Sequence, residues 1–204
     1  MALTALALNC SLKSTAQAQQ TSTSKLLDLF LEKFRAEGVT GEQLRMADFN
    51  IKPGVTSDEG PGDDWPELRR RLLEADILIM GTPIWLGQPS SIAKRVLERL
   101  DAFLSETDEQ GRMVSFGRVA VVGVVGNEDG AHHVSAELYQ ALNDTGFTIA
   151  ATAVSYWVGE AMQKTDFQDL PKTPDATDSA MLAAVRNAVH LAKFLKQNPY
   201  PPQK

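Results

Sequence analysis

Ser11, Lys13, Ser14, Thr21, Ser22 and Thr23 fall inside one stretch, "NCSLKSTAQAQQTSTSKLL" (9–27), which combines a cluster of hydroxyls with one cation just before an apolar periodic segment. That combination suits an anion: hydroxyls donate, lysine adds charge, and the following helix offers its unsatisfied amides and positive dipole end. The phosphate loops GxxxxGK[ST] and GxGxxG are both absent, so hydroxyls and backbone amides must dominate here. Plain N-capping by Ser22 or Thr23 is the competing reading. A second stretch, "TPIWLGQPSS" (82–91), sets Ile84, Trp85 and Leu86 between Pro83 and Gly87. Large apolar side chains on a surface loop cover a core or a ligand, and a flat aromatic ligand would stack there; a loop folded back on its own core or a dimer contact are the alternatives. The third, "GNEDGAHH" (126–133), offers Asn127, Glu128 and Asp129 between Gly126 and Gly130, whose backbones permit unusual angles and close approach. Its amides suit the polar edge of a heterocycle; a solvated turn capped by Asp129 is the plainer alternative.

These stretches need elements to position them. "ALTALALN" (2–9) reads as a strand, and 24–38 as a helix with Leu26, Leu27, Phe30, Leu31 and Phe34 at helical spacing and a stop at Gly38. "EQLRMADF" (42–49) is a second strand candidate, and Asp64 and Pro66 open a helix. "DILIMGTPI" (76–84) and "RVAVVGVVG" (118–126) are short and continuously apolar, as strands of a parallel sheet buried on both faces are. Helices follow at 90–104 and 131–146, a fifth strand at 147–157, and a closing helix at 176–197 with Thr177 or Asp178 placed as its N-cap. Alternation of this kind implies right-handed crossovers and a doubly wound α/β sheet, in which ligands sit beyond the carboxyl ends of the strands. The three stretches are the loops at that edge.

With 204 residues, 43% hydrophobic and 23% charged, the chain reads as one domain, 1–204, with a single sizeable core. A formal charge of −6 argues against non-specific contact with nucleic acid or anionic membranes. Its apolar runs are far shorter than the roughly 20 residues of a membrane span. Residues 2–8 are apolar, but the first basic side chain, Lys13, lies behind them, so the expectation is cytoplasmic rather than exported. One cysteine excludes an internal disulfide, and with three histidines it cannot build the common zinc arrays, so no metal is expected. GxSxG is absent too, which removes the common serine hydrolase signature. Cys10 reads as a core residue, with a redox sensor as the alternative, Arg69–Arg71 as a solvated helix face, with a nucleotide phosphate site as the alternative, and His132 and His133 as one surface side chain and one packed or capping. Residues 157–178, with two prolines and no periodicity, read as a long lid or dimer arm.

The order of "NCSLK…TSTSKLL", "ADILIMGTPIWLGQPSSIAKRVLERLDA" and "VVGNEDGAHH" resembles the flavodoxin-like NAD(P)H-dependent FMN reductase family over about the first 157 residues. That resemblance implies a five-stranded parallel sheet of order 2-1-3-4-5 with helices on both faces and FMN at the switch point. It further implies that Ser11, Lys13, Thr21, Ser22 and Thr23 hold the phosphate, and that Pro83, Ile84, Trp85, Leu86 and Gly87 line one side of the isoalloxazine. Asn127, Glu128, Asp129 and Gly130 would meet its pyrimidine edge, and Tyr156 and Trp157 would close the rim. Cys10, where the family often has glycine or another small residue, and the polar insertion 14–20 are departures from the pattern. The implied activity takes hydride from NADPH or NADH and passes electrons to a small-molecule acceptor, in a homo-oligomer, dimer or tetramer. A flavodoxin-like electron carrier or redox-sensing module reduced by a protein partner is the alternative.

Overall fold

The structure is a computed structural model that describes residues 2–160 and 163–204. In chain order its elements are β1 (Leu3–Asn9), α1 (Ser22–Ala36), β2 (Val39–Arg45), α2 (Trp65–Glu74), β3 (Ile77–Trp85) and β4 (Gln88–Pro89). They continue with α3 (Ser91–Leu100), β5 (Val119–Gly126), α4 (Ala131–Asp144), β6 (Thr148–Val158) and α5 (Asp175–Gln197). The long strands lie in the order β2-β1-β3-β5-β6, every neighbouring pair parallel. With the two-residue β4 set aside, this is the expected 2-1-3-4-5 order of a flavodoxin-like fold.

The apolar character of the central strands has a direct packing cause. Side chains of successive residues leave a strand on opposite faces. Leu6, Leu8, Leu78, Met80, Val122 and Val124 pack against α2, α3 and α4, whereas Ala5, Ala7, Ile77, Ile79, Val119 and Val121 pack against α1 and α5. Both faces are covered, so neither can alternate with polar residues. Among the described residues, no helix is long and apolar enough to cross a membrane.

Three departures from expectation bear on the loops described below. β2 runs from Val39 to Arg45 and not over 42–49, because Gly38 (φ 79°) turns the chain straight out of α1 and Leu3 pairs with Val39; Met46–Asp48 then coil into a 3-10 turn. β4 was not anticipated: it pairs antiparallel with the end of β3, making a hairpin of the 82–91 loop. α5 begins at Asp175 with Pro174 in the cap position, and Thr177 is inside the helix, its hydroxyl donating to the Tyr156 carbonyl at 3.2 Å. Within the expected 157–178 arm, residues 161–162 lie outside the described residues, 157–158 end β6, and 167–169 form a 3-10 turn.

The turn-rich segment after β2 is fastened from inside. Arg99 of α3 is fully buried and donates to the carbonyls of Lys52 (2.9 Å) and Thr56 (3.1 Å) and to the Asp63 carboxylate (2.7 Å), itself fully buried. Burial alone would raise the Asp63 carboxyl, but the Arg99 bond and the amides of Glu59, Lys52 and Trp65 outweigh it and hold it at about 2. Because the folded value lies below the ordinary 3.8, the stabilisation is complete above about pH 4 and fades as pH falls toward 2. Asp63→Asn should leave a buried unpaired guanidinium and cost roughly 3–5 kcal/mol in urea unfolding. The variant should also lose this part of the acid sensitivity.

Candidate functional site

The carboxyl ends of the parallel strands share one edge, and the 10–21 loop lies there. Its shape is set by polar contacts. Asn9, buried at the end of β1, donates through Nδ2 to Ser24 Oγ (3.1 Å) and Gln43 Oε1 (2.8 Å) and accepts the Ser11 amide on Oδ1 (2.9 Å). Arg45, at the end of β2, donates to the carbonyls of Ser14 (3.2 Å), Ala18 and Gln19 (3.0 Å) and to Ser24 Oγ (2.9 Å). The insertion 14–20 is therefore a clamped loop. Sequence reasoning missed Asn9, Ser24 and Arg45; the one available signal was a polar Asn ending an apolar strand.

The cap of α1 is Thr21, not Ser22 or Thr23. Thr21 keeps the extended backbone that a cap needs (φ −132°, ψ 161°), its Oγ1 accepts the Ser24 amide at 3.1 Å, and Ser24 Oγ reciprocates toward the Thr21 amide. Thr21's hydroxyl is thus occupied within the cap. Ser22 Oγ accepts the Gln168 amide at 3.3 Å and retains its own proton to donate. Thr23 is buried and Lys13 exposed. Ser11 Oγ is buried with no hydrogen-bond partner among the described residues, a costly arrangement unless something else comes to it. Cys10 is buried, its thiol pushed up by desolvation, and it serves the site through its carbonyl, which accepts Ser90 Oγ at 2.6 Å.

The second loop is a tight hairpin in which Ile84 faces Pro89 and Trp85 faces Gln88, with Leu86 (φ 53°) and Gly87 (φ 74°) both in the left-handed region. A two-residue turn of this hand matches the strand twist, although leucine is a strained occupant. It presents Trp85 at 54% and Leu86 at 91% exposure. Pro83 and Gly87 are half-buried, whereas Ile84 points inward and abuts Gly126, supporting the loop from beneath. Ser90 caps α3 through the Ala93 amide (3.0 Å), and its own amide donates to Thr82 Oγ1 (3.0 Å), so this hairpin and the first loop share an anchor.

The third loop meets the hairpin backbone to backbone. At Gly130 (φ 111°) a Cβ would stand 2.9 Å from Gly87 Cα, so no other residue fits without moving the loop. Gly130 itself takes the cap position of α4 and leaves Asp129 exposed, while Glu128 accepts the Gly87 amide at 3.3 Å. Asn127 donates to Asp166 at 3.3 Å. At the end of β6, Tyr156 approaches His132 Nε2 at 3.3 Å with the rings edge to face, and Trp157 packs on Phe167. His133 pairs with Glu137 on the surface at 2.8 Å.

These groups fit FMN: an orphaned buried hydroxyl and a helix N-terminus match a phosphate, and an exposed Trp-Leu hairpin beside hydrogen-bonding amides matches a flat ring with one polar edge. Two other candidates fit an anion less well. Arg69, Arg70 and Arg71 pair with Glu106, with Glu67 and Glu74, and with Glu42 respectively. The other is a cavity of about 480 Å³ at the opposite edge, around Asp76, Arg112 and Arg118. Its charges neutralise one another, Lys196 on Asp76 at 2.8 Å and Arg112 on Asp108 at 2.7 Å, and Arg118 is held by the Leu73 carbonyl.

Residues 3–163 match the sequence profile of the family described as NADPH-dependent FMN reductase. The chain is 35% identical over 202 residues to the divalent metal cation transporter MntH of Mycobacterium bovis, covering 95% of this chain but only 29% of that relative's length. It is 30% identical over 210 aligned positions to the 8-demethyl-8-aminoriboflavin-5'-phosphate synthase of Streptomyces davaonensis, covering 98% of this chain and 81% of that one. Among solved structures, RosB with bound 8-demethyl-8-formylriboflavin-5'-phosphate superimposes with a TM-score of 0.87 at 30% identity, covering 98% and 82% of the two chains. The apo NADH:FMN oxidoreductase EMOB shares the fold, with a TM-score of 0.68 at 18% identity and 98% and 94% coverage.

Arg45→Met should free the first loop. The expected loss is about 2–4 kcal/mol of unfolding free energy, with faster subtilisin cleavage between residues 12 and 20 than in the parent protein.

Proposed function

The chain belongs to the NADPH-dependent FMN reductase family, and from that premise we propose that it is an FMN-binding oxidoreductase. It takes hydride from NADPH or NADH and passes electrons to a small-molecule acceptor such as a quinone, a free flavin, or an azo or nitro compound. One observation carries the reading: the Ser11 hydroxyl, buried without a partner among the described residues, lies on the same sheet edge as the Trp85–Leu86 hairpin and the 127–130 loop.

When bound, FMN supplies the hydride-accepting and hydride-donating chemistry, and the protein needs no nucleophile of its own. The chain's residues bind and orient. Ser11 Oγ, the Ser22 hydroxyl proton, Thr23, Lys13 and the first-turn amides of α1 hold the phosphate. Trp85, Leu86, Pro83 and Gly87 cover the ring and exclude water, with Ile84 bracing them. Donors from 127–130 face the polar edge and favour negative charge there, and Tyr156 and Trp157 border it. In this reading the chain acts as one cytoplasmic domain and as a homo-oligomer.

A second reading, in which the flavin phosphate is substrate and not resident cofactor, is favoured by the 30% identity with a riboflavin-derivative synthase across 98% of this chain. Both readings need the same phosphate seat and differ in whether pyridine nucleotide reduces the bound flavin.

Protein reconstituted with FMN and freed of excess should stay yellow and bleach anaerobically with NADPH or NADH. Retained flavin that neither nucleotide bleaches would overturn the reductase reading and favour flavin modification or electron carriage. Ser11→Ala should weaken FMN binding about 10-fold or more by fluorescence titration, and leave riboflavin within about twofold, because only FMN carries the charged acceptor.

A further inference from the structure

Lys25 stands in the first turn of α1, where a cation opposes the helix dipole and no acidic residue offsets it. Its ammonium donates to three carbonyls, of Phe167 (3.2 Å), Gln168 (3.1 Å) and Leu170 (2.9 Å), which uses its full donor capacity. It also lies 5.4 Å from the centre of the buried Phe167 ring. The segment so held touches both halves of the candidate site. At one end the Gln168 amide donates to Ser22 Oγ (3.3 Å), which leaves the Ser22 proton as the group's free donor. At the other, Asp166 Oδ1 accepts from Asn127 Nδ2 (3.3 Å). A carboxylate only accepts, so it fixes the Asn127 amide with Oδ1 as the atom left to receive a ring N–H.

We propose that residues 166–170 form a strap, latched by Lys25, that orients Ser22 as a donor to the flavin phosphate and Asn127 as an acceptor for the flavin ring. Lys25 and Asp166 are positioning residues, and the inference rests on the flavin-binding reading above. The sequence suggested a lid or a dimer arm for this region. The contacts describe a wall that joins the phosphate end to the ring end.

The test compares wild type, Lys25→Met and Asp166→Ala as apoproteins by hydrogen exchange and by fluorescence titration with FMN and with riboflavin. Lys25→Met should strip exchange protection from the amides of 168–170 and weaken FMN about 10-fold or more, by a larger factor than riboflavin, because only FMN uses Ser22. Asp166→Ala, which leaves the latch intact, should keep the strap protected and weaken both flavins by a similar factor. Either variant binding FMN within twofold of wild type, or a Lys25→Met strap that stays protected, overturns the proposal. Wild-type protein that binds no flavin fails at the earlier step and is distinguished by that.

Discussion

The Ser24 hydroxyl is the point on which the candidate site turns. The 10–21 loop has little apolar surface to bury, so hydrophobic packing cannot give it one shape. Ser24 Oγ receives Asn9 from β1, Arg45 from β2 and Thr21 from the cap, and so ties two neighbouring strands to the start of α1. Each bond is worth only about 1 kcal/mol net, yet leaving any of these buried groups unpaired costs more. The network therefore holds or fails together. Its geometric consequence is that Ser11, whose amide Asn9 holds, is tied through Asn9 and Ser24 to the start of α1, with its hydroxyl left without a partner among the described residues.

From that anchor the other two loops are placed by close approach. Ser90 joins the hairpin to the Cys10 carbonyl, and Gly130 lets the third loop rest on Gly87. The site is thus assembled by backbone contact between loops, each rooted in a strand buried on both faces. The strain at Leu86 is tolerable because two paired strand ends hold it. The same logic explains why the cavity at the opposite edge is a poorer anion site: Lys196 and Arg112 are paired with carboxylates, and the donors of Arg118 are taken by backbone carbonyls.

What was legible in the sequence follows from the range of the interactions. β3 and β5 announce themselves because burial on both faces leaves a continuous apolar record, and α2 because Asp64 and Pro66 act locally. β2 is an edge strand with one apolar residue in its first five, Val39, so the eye goes to Leu44, Met46 and Phe49 and places it late. The cap was one residue off because Thr21, Ser22 and Thr23 are chemically equivalent until the backbone chooses among them. Arg45 and Lys25 were invisible for a different reason: their partners lie up to 145 residues away and nothing local marks them, whereas Asn9 was marked only by being a polar residue at the end of an apolar strand. The resemblance to the reductase family singled out three loops that the fold brings to one edge of the sheet, and left open which side chains were already committed to holding them.

The central claim, that the flavin phosphate lies on the α1 N-terminus at the carboxyl edge of the sheet, is tested most directly by mapping amide chemical shifts in 15N-labelled protein during FMN addition. The account predicts shifts at residues 11–13, 22–24, 84–88 and 127–130, and quiet resonances at 112–118 and 195–200 around the opposite cavity. Perturbation centred on Arg112, Arg118 and Tyr200, with Ser11 and the first turn of α1 unmoved, would contradict it.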